Sequence, residues 1–289
     1  MISGATMVSY DSRYLRALNP SSGDLKLNLL AELRDYLGLD LTDEDLYVRC
    51  RQGTQAILED WRRKNINPAD ATSVTQFYIE TQLYCYELLA LEIDAPAQRQ
   101  EQLFSLAALL KDAAKLRGCD YGSGIGTLGL YLNKSGIVCD FADVSETNLN
   151  FIQARLKRRN LVGPRLINLT KDKIPGAAYD FVTAFDVLEH VAVPLDPIQD
   201  IAAQLRPGGY FIFNVLCEDE LNTPHLLRDP DLIRKNIRGY GLTKVGSLGE
   251  FKIYKKVTRP RFTNGLLRRV DGLFWDARKK LQTIAKRDR

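Results

Sequence analysis

The sequence predicts an α/β protein, a doubly wound and mostly parallel sheet preceded by a helical domain, on three observations. The chain has 289 residues, 45% hydrophobic and 26% charged, enough to bury a substantial core. Up to about Leu116, apolar residues recur at helical spacing. Beyond it, short β-branched and aromatic runs alternate with helical stretches of about a dozen residues, the pattern of crossover units in a parallel sheet.

In the front region Leu25, Leu29, Leu33, Tyr36 and Leu37 mark one helix, and Leu46, Cys50, Gly53, Ile57 and Trp61 mark another. A third carries Val74, Phe77, Tyr78, Thr81, Tyr84, Cys85, Leu88 and Leu89 on one face, a stripe that core packing produces more often than a binding surface does. Thr42, three residues before Asp45, and Ser73, three before Gln76, read as helix caps. Strands are expected at 137–141, 181–185 and 210–215, with helices at 148–159 and 197–205 between them. The run 113–119 is a poor strand, though a first strand is needed there. These readings divide the chain into a helical domain at 1–112, a sheet domain at 113–258 and a tail at 259–289.

Composition excludes several classes. No apolar run approaches the roughly 18 residues that would span a bilayer, and the first 25 residues lack a continuous apolar h-region, so neither a transmembrane helix nor a classical secretion signal is expected. The five cysteines show no C-x-x-C spacing, and two histidines offer little help to a metal, so neither a disulfide scaffold nor a metal centre is expected. A reduced, cytoplasmic setting fits. The net charge of +4 is uneven: residues 258–289 hold ten Lys/Arg against three Asp, which leaves a mildly acidic body at −3. That is not the profile of a chain built throughout for nucleic acid.

Where the first strand should meet the first helix stands Asp120-x-Gly122-Ser123-Gly124-x-Gly126-x-x-Gly129. Glycines there let a ligand approach the backbone at a helix N-terminus. Gly124-x-Gly126-x-x-Gly129 satisfies a dinucleotide pattern, with Asp140 or Asp143 as the ribose acid. A carboxylate directly before the loop would repel a pyrophosphate but suits a cationic amino group, which favours the alternative D-x-G-x-G-x-G reading. That loop resembles motif I of the class I S-adenosylmethionine-dependent methyltransferases. Further runs fall in the family's order: 137–145, ending in Asp143; 179–191, containing Phe185-Asp186-Val187-Leu188-Glu189-His190; and Leu205-Arg-Pro-Gly-Gly209 leading into a strand. Residues 239–245 and 251–257 look like the last two strands, so the resemblance covers about 116–257.

The resemblance implies a Rossmann-like, seven-stranded sheet and S-adenosyl-L-methionine as cofactor. It places Asp120, Gly122, Ser123, Gly124, Gly126, Asp143, Val144, Asp172, Asp186 and Val187 at the cofactor, with Asp143 on the ribose hydroxyls and Asp172 beside the adenine. Asp140 competes with Asp143 but lies inside the strand, and Asp172 reads equally well as a solvated loop residue. Methyl transfer from a sulfonium is an in-line displacement, so a base is needed only where the acceptor must lose a proton. His190 is the candidate catalytic residue, as base or acceptor contact, against a plain role in orienting its loop. His225 reads as a lid or packing residue, and Tyr78, Thr81 and Tyr84 could close over the cofactor.

The expected function is transfer of a methyl group to a small molecule, with the acceptor atom open. An NAD(P)-dependent oxidoreductase and a non-catalytic cofactor-binding subunit are the alternatives. From Asn264 the tail is a basic amphipathic helix suited to packing on protein, to an anionic membrane surface or to a second copy of the chain.

Overall fold

The computed structural model describes residues 10–95, 97–111, 116–217 and 223–257, so the amphipathic tail lies outside the described residues. Among the described residues the front region holds seven helices: α1 (Ser12–Leu18), α2 (Leu25–Leu37), α3 (Asp43–Arg51), α4 (Gly53–Arg63), α5 (Ala71–Glu80), α6 (Leu83–Ile93) and α7 (Ala97–Lys111). After them come β1 (Arg117–Tyr121), α8 (Thr127–Lys134), β2 (Val138–Asp143), α9 (Glu146–Arg158), β3 (Leu166–Asn168), β4 (Tyr179–Ala184), α10 (Leu195–Gln204), β5 (Leu205–Phe213), α11 (Pro230–Asn236), β6 (Leu242–Leu248) and β7 (Phe251–Lys256).

Local chemistry sets the helix ends. Asp24 accepts a hydrogen bond from the Leu27 N–H, and Gly38 closes α2 in the left-handed conformation at φ +64°. Thr42 caps α3 as its spacing predicts. The 46–61 stripe is two helices, because the chain breaks at Gln52 and restarts at Gly53. A Cβ on Gly53 would lie 2.7 Å from the Glu87 backbone, so the glycine permits the close crossing of α4 and α6. The 74–89 stripe is also two helices. Asp70, not Ser73, caps α5, and Thr81 turns extended and takes the Leu83 N–H on its hydroxyl at 3.2 Å, starting α6 in a new direction.

The sheet runs β3-β2-β1-β4-β5-β7-β6, with β1 to β5 parallel and β7 antiparallel to both its neighbours. The first strand, poor as a sequence, is buried from Gly118 onward. A Cβ on Gly118 would lie 2.0 Å from the Phe181 ring, so glycine there gives that ring its room in the sheet. Asp140, inside β2, is fully buried in a structural cluster: Arg117, Arg165 and the Tyr179 hydroxyl all donate to it. Both edges of the sheet are interrupted or short. β3 has three residues, and β6 slips register against β7 between Lys244 and Gly246.

One face of the sheet and α8 and α9 share a continuous apolar core with the front helices, in which Leu29, Leu33 and Leu89 pack in one cluster with Leu130, Phe141 and Phe151. The Tyr36 ring stacks on Phe151 at 5.0 Å, and its hydroxyl donates to the Thr147 carbonyl at 2.8 Å. The opposite face packs on α10 and Ile233 of α11. No helix among the described residues is long and apolar enough to cross a membrane.

Candidate functional site

The strand order reverses between β1 and β4, and ligands of open α/β sheets bind at that switch point, outside the carboxyl ends of the strands. The loop from Gly122 to Gly126 lies there. Gly122, Gly124 and Gly126 all have positive φ, at +69°, +52° and +83°, which explains three glycines in five residues. Gly126 caps α8. The Gly122 and Ser123 N–H groups both donate to the Ala142 carbonyl, fastening the loop to the end of β2. A Cβ on Gly122 would lie 2.5 Å from Val187, so the loops after β1 and β4 touch.

Two carboxylates shape this crest from beneath. Asp120 accepts from the Thr183 hydroxyl at 2.8 Å and from the Gly129 N–H, one of the first-turn donors of α8 that have no partner within the helix. Burial pushes it up to about 7, against the pull of those two bonds. Asp120 therefore works inside the loop as a helix cap, with 4% of its surface exposed. Asp143 accepts from the Gly124 and Ser145 N–H groups, both at 2.8 Å, and from Val144 and Asn148. Burial raises it to about 6. Ser145 caps α9, so Asp143 joins the glycine loop to the start of the next helix. The Ser123 hydroxyl, buried in the loop, has no hydrogen-bond partner among the described residues.

Asp186, at the end of β4, has φ +53°, uncommon for a residue with a side chain. Its strain is held by Asn214, which accepts from the Asp186 N–H at 2.9 Å and donates to its carboxylate at 2.5 Å, and by Arg99, 3.4 Å away. Asp172 is exposed, and its carboxylate accepts the Asn168 N–H at 2.8 Å in a local turn.

His190 follows β4 and meets residues from far along the chain. Its Nδ1 lies 3.0 Å from the Tyr78 hydroxyl and 3.2 Å from the Pro224 carbonyl, and its ring centre is 4.6 Å from that of His225. Tyr84 completes the group at 6.3 Å. Burial, then the neighbouring His225, pushes His190 down to about 3, so the imidazole is neutral at physiological pH. Tyr78 and Tyr84 thus meet His190, whereas Thr81 serves as a cap.

The sequence reading gave no site role to Asn148, Asn214, Arg99 or Leu88, the last of which packs against Gly124 of the loop. Asn148 and Asn214 carry a usable signal, as polar residues beside the ends of β2 and β5. Arg99 and Leu88 carry none, because only tertiary packing brings them to the crest.

A family model described as a methyltransferase domain matches residues 96–240, half of the chain and the whole crest just described. The chain belongs to that methyltransferase family. It is similar to the ubiquinone biosynthesis O-methyltransferase of Parvibaculum lavamentivorans, 30% identical over 102 residues, 35% of this chain and 40% of that protein. It is also similar to the enzyme of the same name from Coxiella burnetii, 27% identical over 143 residues, 48% of this chain and 53% of that one. The chain thus spans about half the length of these curated relatives or less. Among solved structures, magnesium protoporphyrin IX methyltransferase from Synechocystis PCC 6803, with S-adenosylhomocysteine bound, aligns over 64% of this chain and 98% of its own with 21% identity and a TM-score of 0.49.

Proposed function

We propose that this chain transfers a methyl group from S-adenosylmethionine to a small-molecule acceptor. The reading rests on one observation: Asp143 and the glycine loop form a single hydrogen-bonded crest at the switch point, within the stretch that the family model matches. The residues fit the cofactor. Three glycines keep side chains off the loop, the Ser123 hydroxyl has no partner among the described residues, and an acid ends β2. Val144, Asp186 and Val187 flank it, and the wall formed by Asp120 lies beneath. Asp172 is the proposed polar contact at the adenine end. When bound, the cofactor supplies an activated methyl carbon, and the chain's task is to orient the acceptor and exclude water.

His190 is the proposed contact for the acceptor. With Nδ1 directed to Pro224, the other ring nitrogen of a neutral imidazole accepts a hydrogen bond from an acceptor hydroxyl. The aromatic surroundings suit a flat molecule, and the names of the curated relatives, O-methyltransferases of ubiquinone biosynthesis, support an oxygen acceptor. The domain division at residue 112 or so, the cytoplasmic setting and a contact surface for protein or an anionic membrane on the tail belong to the same proposal.

The test is calorimetry with S-adenosylhomocysteine, NAD and NADP in parallel. Binding of the first alone is expected; binding of a nicotinamide nucleotide with no response to S-adenosylhomocysteine would replace the reading with an oxidoreductase.

A further inference from the structure

Beneath the glycine loop, between α9 and the front helices, lies an ion network with almost no access to water. Arg155 donates to both Glu92 oxygens at 2.7 Å, to Glu32 at 3.3 Å and to the Ile125 carbonyl at 2.8 Å. Arg159, one turn on, donates to Glu32 at 2.5 and 2.9 Å, to the Arg155 carbonyl and to the Leu18 carbonyl. Two guanidiniums meet two carboxylates, so the cluster is neutral as a whole. The Arg155 and Glu92 side chains are 0% exposed. Nothing in methyl transfer itself requires such a cluster.

Its geometry gives it a task. Ile125 stands just before the Gly126 cap, so its carbonyl has no partner in the ladder of α8, whose first bond runs from the Leu130 N–H to the Gly126 carbonyl while the Gly129 N–H turns to Asp120. The Ile125 carbonyl is taken by Arg155 instead, so the loop is held from both ends by charged side chains. On the other side Arg155 holds α6 through Glu92. The same face of α6 meets the crest at two more positions. Leu88 reaches Gly124, where a Cβ would come within 2.6 Å of its Cδ1, and the Cys85 thiol lies 3.5 Å from the Oδ1 of Asn148, a donor to Asp143. Residues 85, 88 and 92 are spaced three and four apart and share one side of the helix.

We propose that α6 is a fixed wall of the cofactor cleft, and that Arg155 is a positioning residue that holds the glycine loop against that wall. The proposal rests on the cofactor reading above. A guanidinium is needed because only a planar fork can engage two carboxylates and a carbonyl at once; a lysine keeps the charge and loses the span. Arg159 shares the burial and the charges but makes no bond to the loop, which makes it the control.

The experiment titrates S-adenosylhomocysteine into the wild-type chain, Arg155→Lys and Arg159→Lys, each well below its melting midpoint. Both substitutions lower the midpoint. Arg155→Lys raises the dissociation constant by about tenfold or more, the scale of one lost hydrogen bond to a charged group, and Arg159→Lys leaves it within about twofold. Equal affinities for wild type and Arg155→Lys, or losses in both variants that follow their melting midpoints, would overturn the positioning role. A wild-type chain that does not bind S-adenosylhomocysteine overturns the cofactor reading instead, a distinguishable failure. Should the variants not fold, hydrogen exchange on the wild type decides. Amides of residues 122–126 and of 85–92 gain protection together on binding; protection of the loop alone would overturn the proposal.

Discussion

The two ends of the candidate site are built on different principles. At the glycine-loop end, carboxylates collect backbone N–H groups from nearby residues: Gly124 and Ser145 on Asp143, Gly129 on Asp120. At the histidine end, rings and hydroxyls come from segments 112 and 146 residues apart, Tyr78 against His190 and against Pro224. The first is a polar frame made of main chain, the second an aromatic chamber made of side chains. A main-chain frame must use glycines and acids at fixed offsets, so it leaves a motif. A chamber of rings can be assembled from any elements that fold together, and leaves none.

The sharpest way to separate the two ends is to damage one and measure the other. Trp61 is wholly buried, edge-on to Phe77 at 5.0 Å, in the small core behind Tyr78 and Tyr84. Trp61→Ala should cost about 3–5 kcal/mol in chemical denaturation, with affinity for S-adenosylhomocysteine unchanged in the protein that remains folded. A parallel loss of affinity would show that the ends are one unit.

A smaller effect is expected from Asp143. Asp143→Ala should weaken S-adenosylhomocysteine binding by about 1–3 kcal/mol in calorimetry, as ribose hydroxyls lose a charged acceptor. The folded carboxyl is raised to about 6, so it is largely ionised at pH 7.5 and gains a proton as pH falls through 6. Wild-type affinity should therefore decline on acidification across that value. Asp143→Asn should show a flatter profile between pH 7 and pH 5, and an equally steep one would assign the decline to another group. A group raised on folding favours the folded state more at low pH, so this loss of affinity is not a loss of fold.

His190 carries the smallest expected change, about 1 kcal/mol of stability for His190→Gln at pH 7.5, the net worth of its hydrogen bond to Pro224. Its sign with pH is opposite. A histidine pushed down to about 3 contributes stability above its ordinary value of 6.5, and that contribution is lost as pH falls from 6.5 towards 3. Melting curves of wild type and His190→Gln should meet between pH 6.5 and pH 5 and cross on further acidification to pH 4, with the variant then the more stable. A constant gap would mean that His190 is already charged or solvated at neutral pH.

Legibility from sequence follows the same division. The glycine loop, Asp143 and the order of strands could be read because each depends on residues within one crossover unit. β1 was nearly invisible, since Arg117-Gly118-Cys119-Asp120 is apolar only in its setting: Gly118 makes room for Phe181, and Asp120 caps α8. The helix breaks at Gly53 and Thr81 were hidden by apolar stripes that continue in phase across them. Periodicity reports which face is buried, not whether the axis is continuous. Asp120 shows the limit in the other direction. Its position before the loop was informative, yet its carboxylate points into the fold, where helix capping explains it as fully as ligand charge does.

The margins of the sheet have a consequence for crowded conditions. A strand with one row of unpaired N–H and C=O groups is a template on which another molecule can crystallise as a further strand. Here one margin offers only the three residues of β3, and the other, β6, is broken in step by the slip between Lys244 and Gly246, with the exposed ammonium of Lys244 beside it. Neither margin presents a straight, uncharged length to copy. Among the described residues the sheet has seven strands and its borders are poor seeds, which lets the chain carry the apolar 210–213 half of β5 in its interior without inviting fibrils.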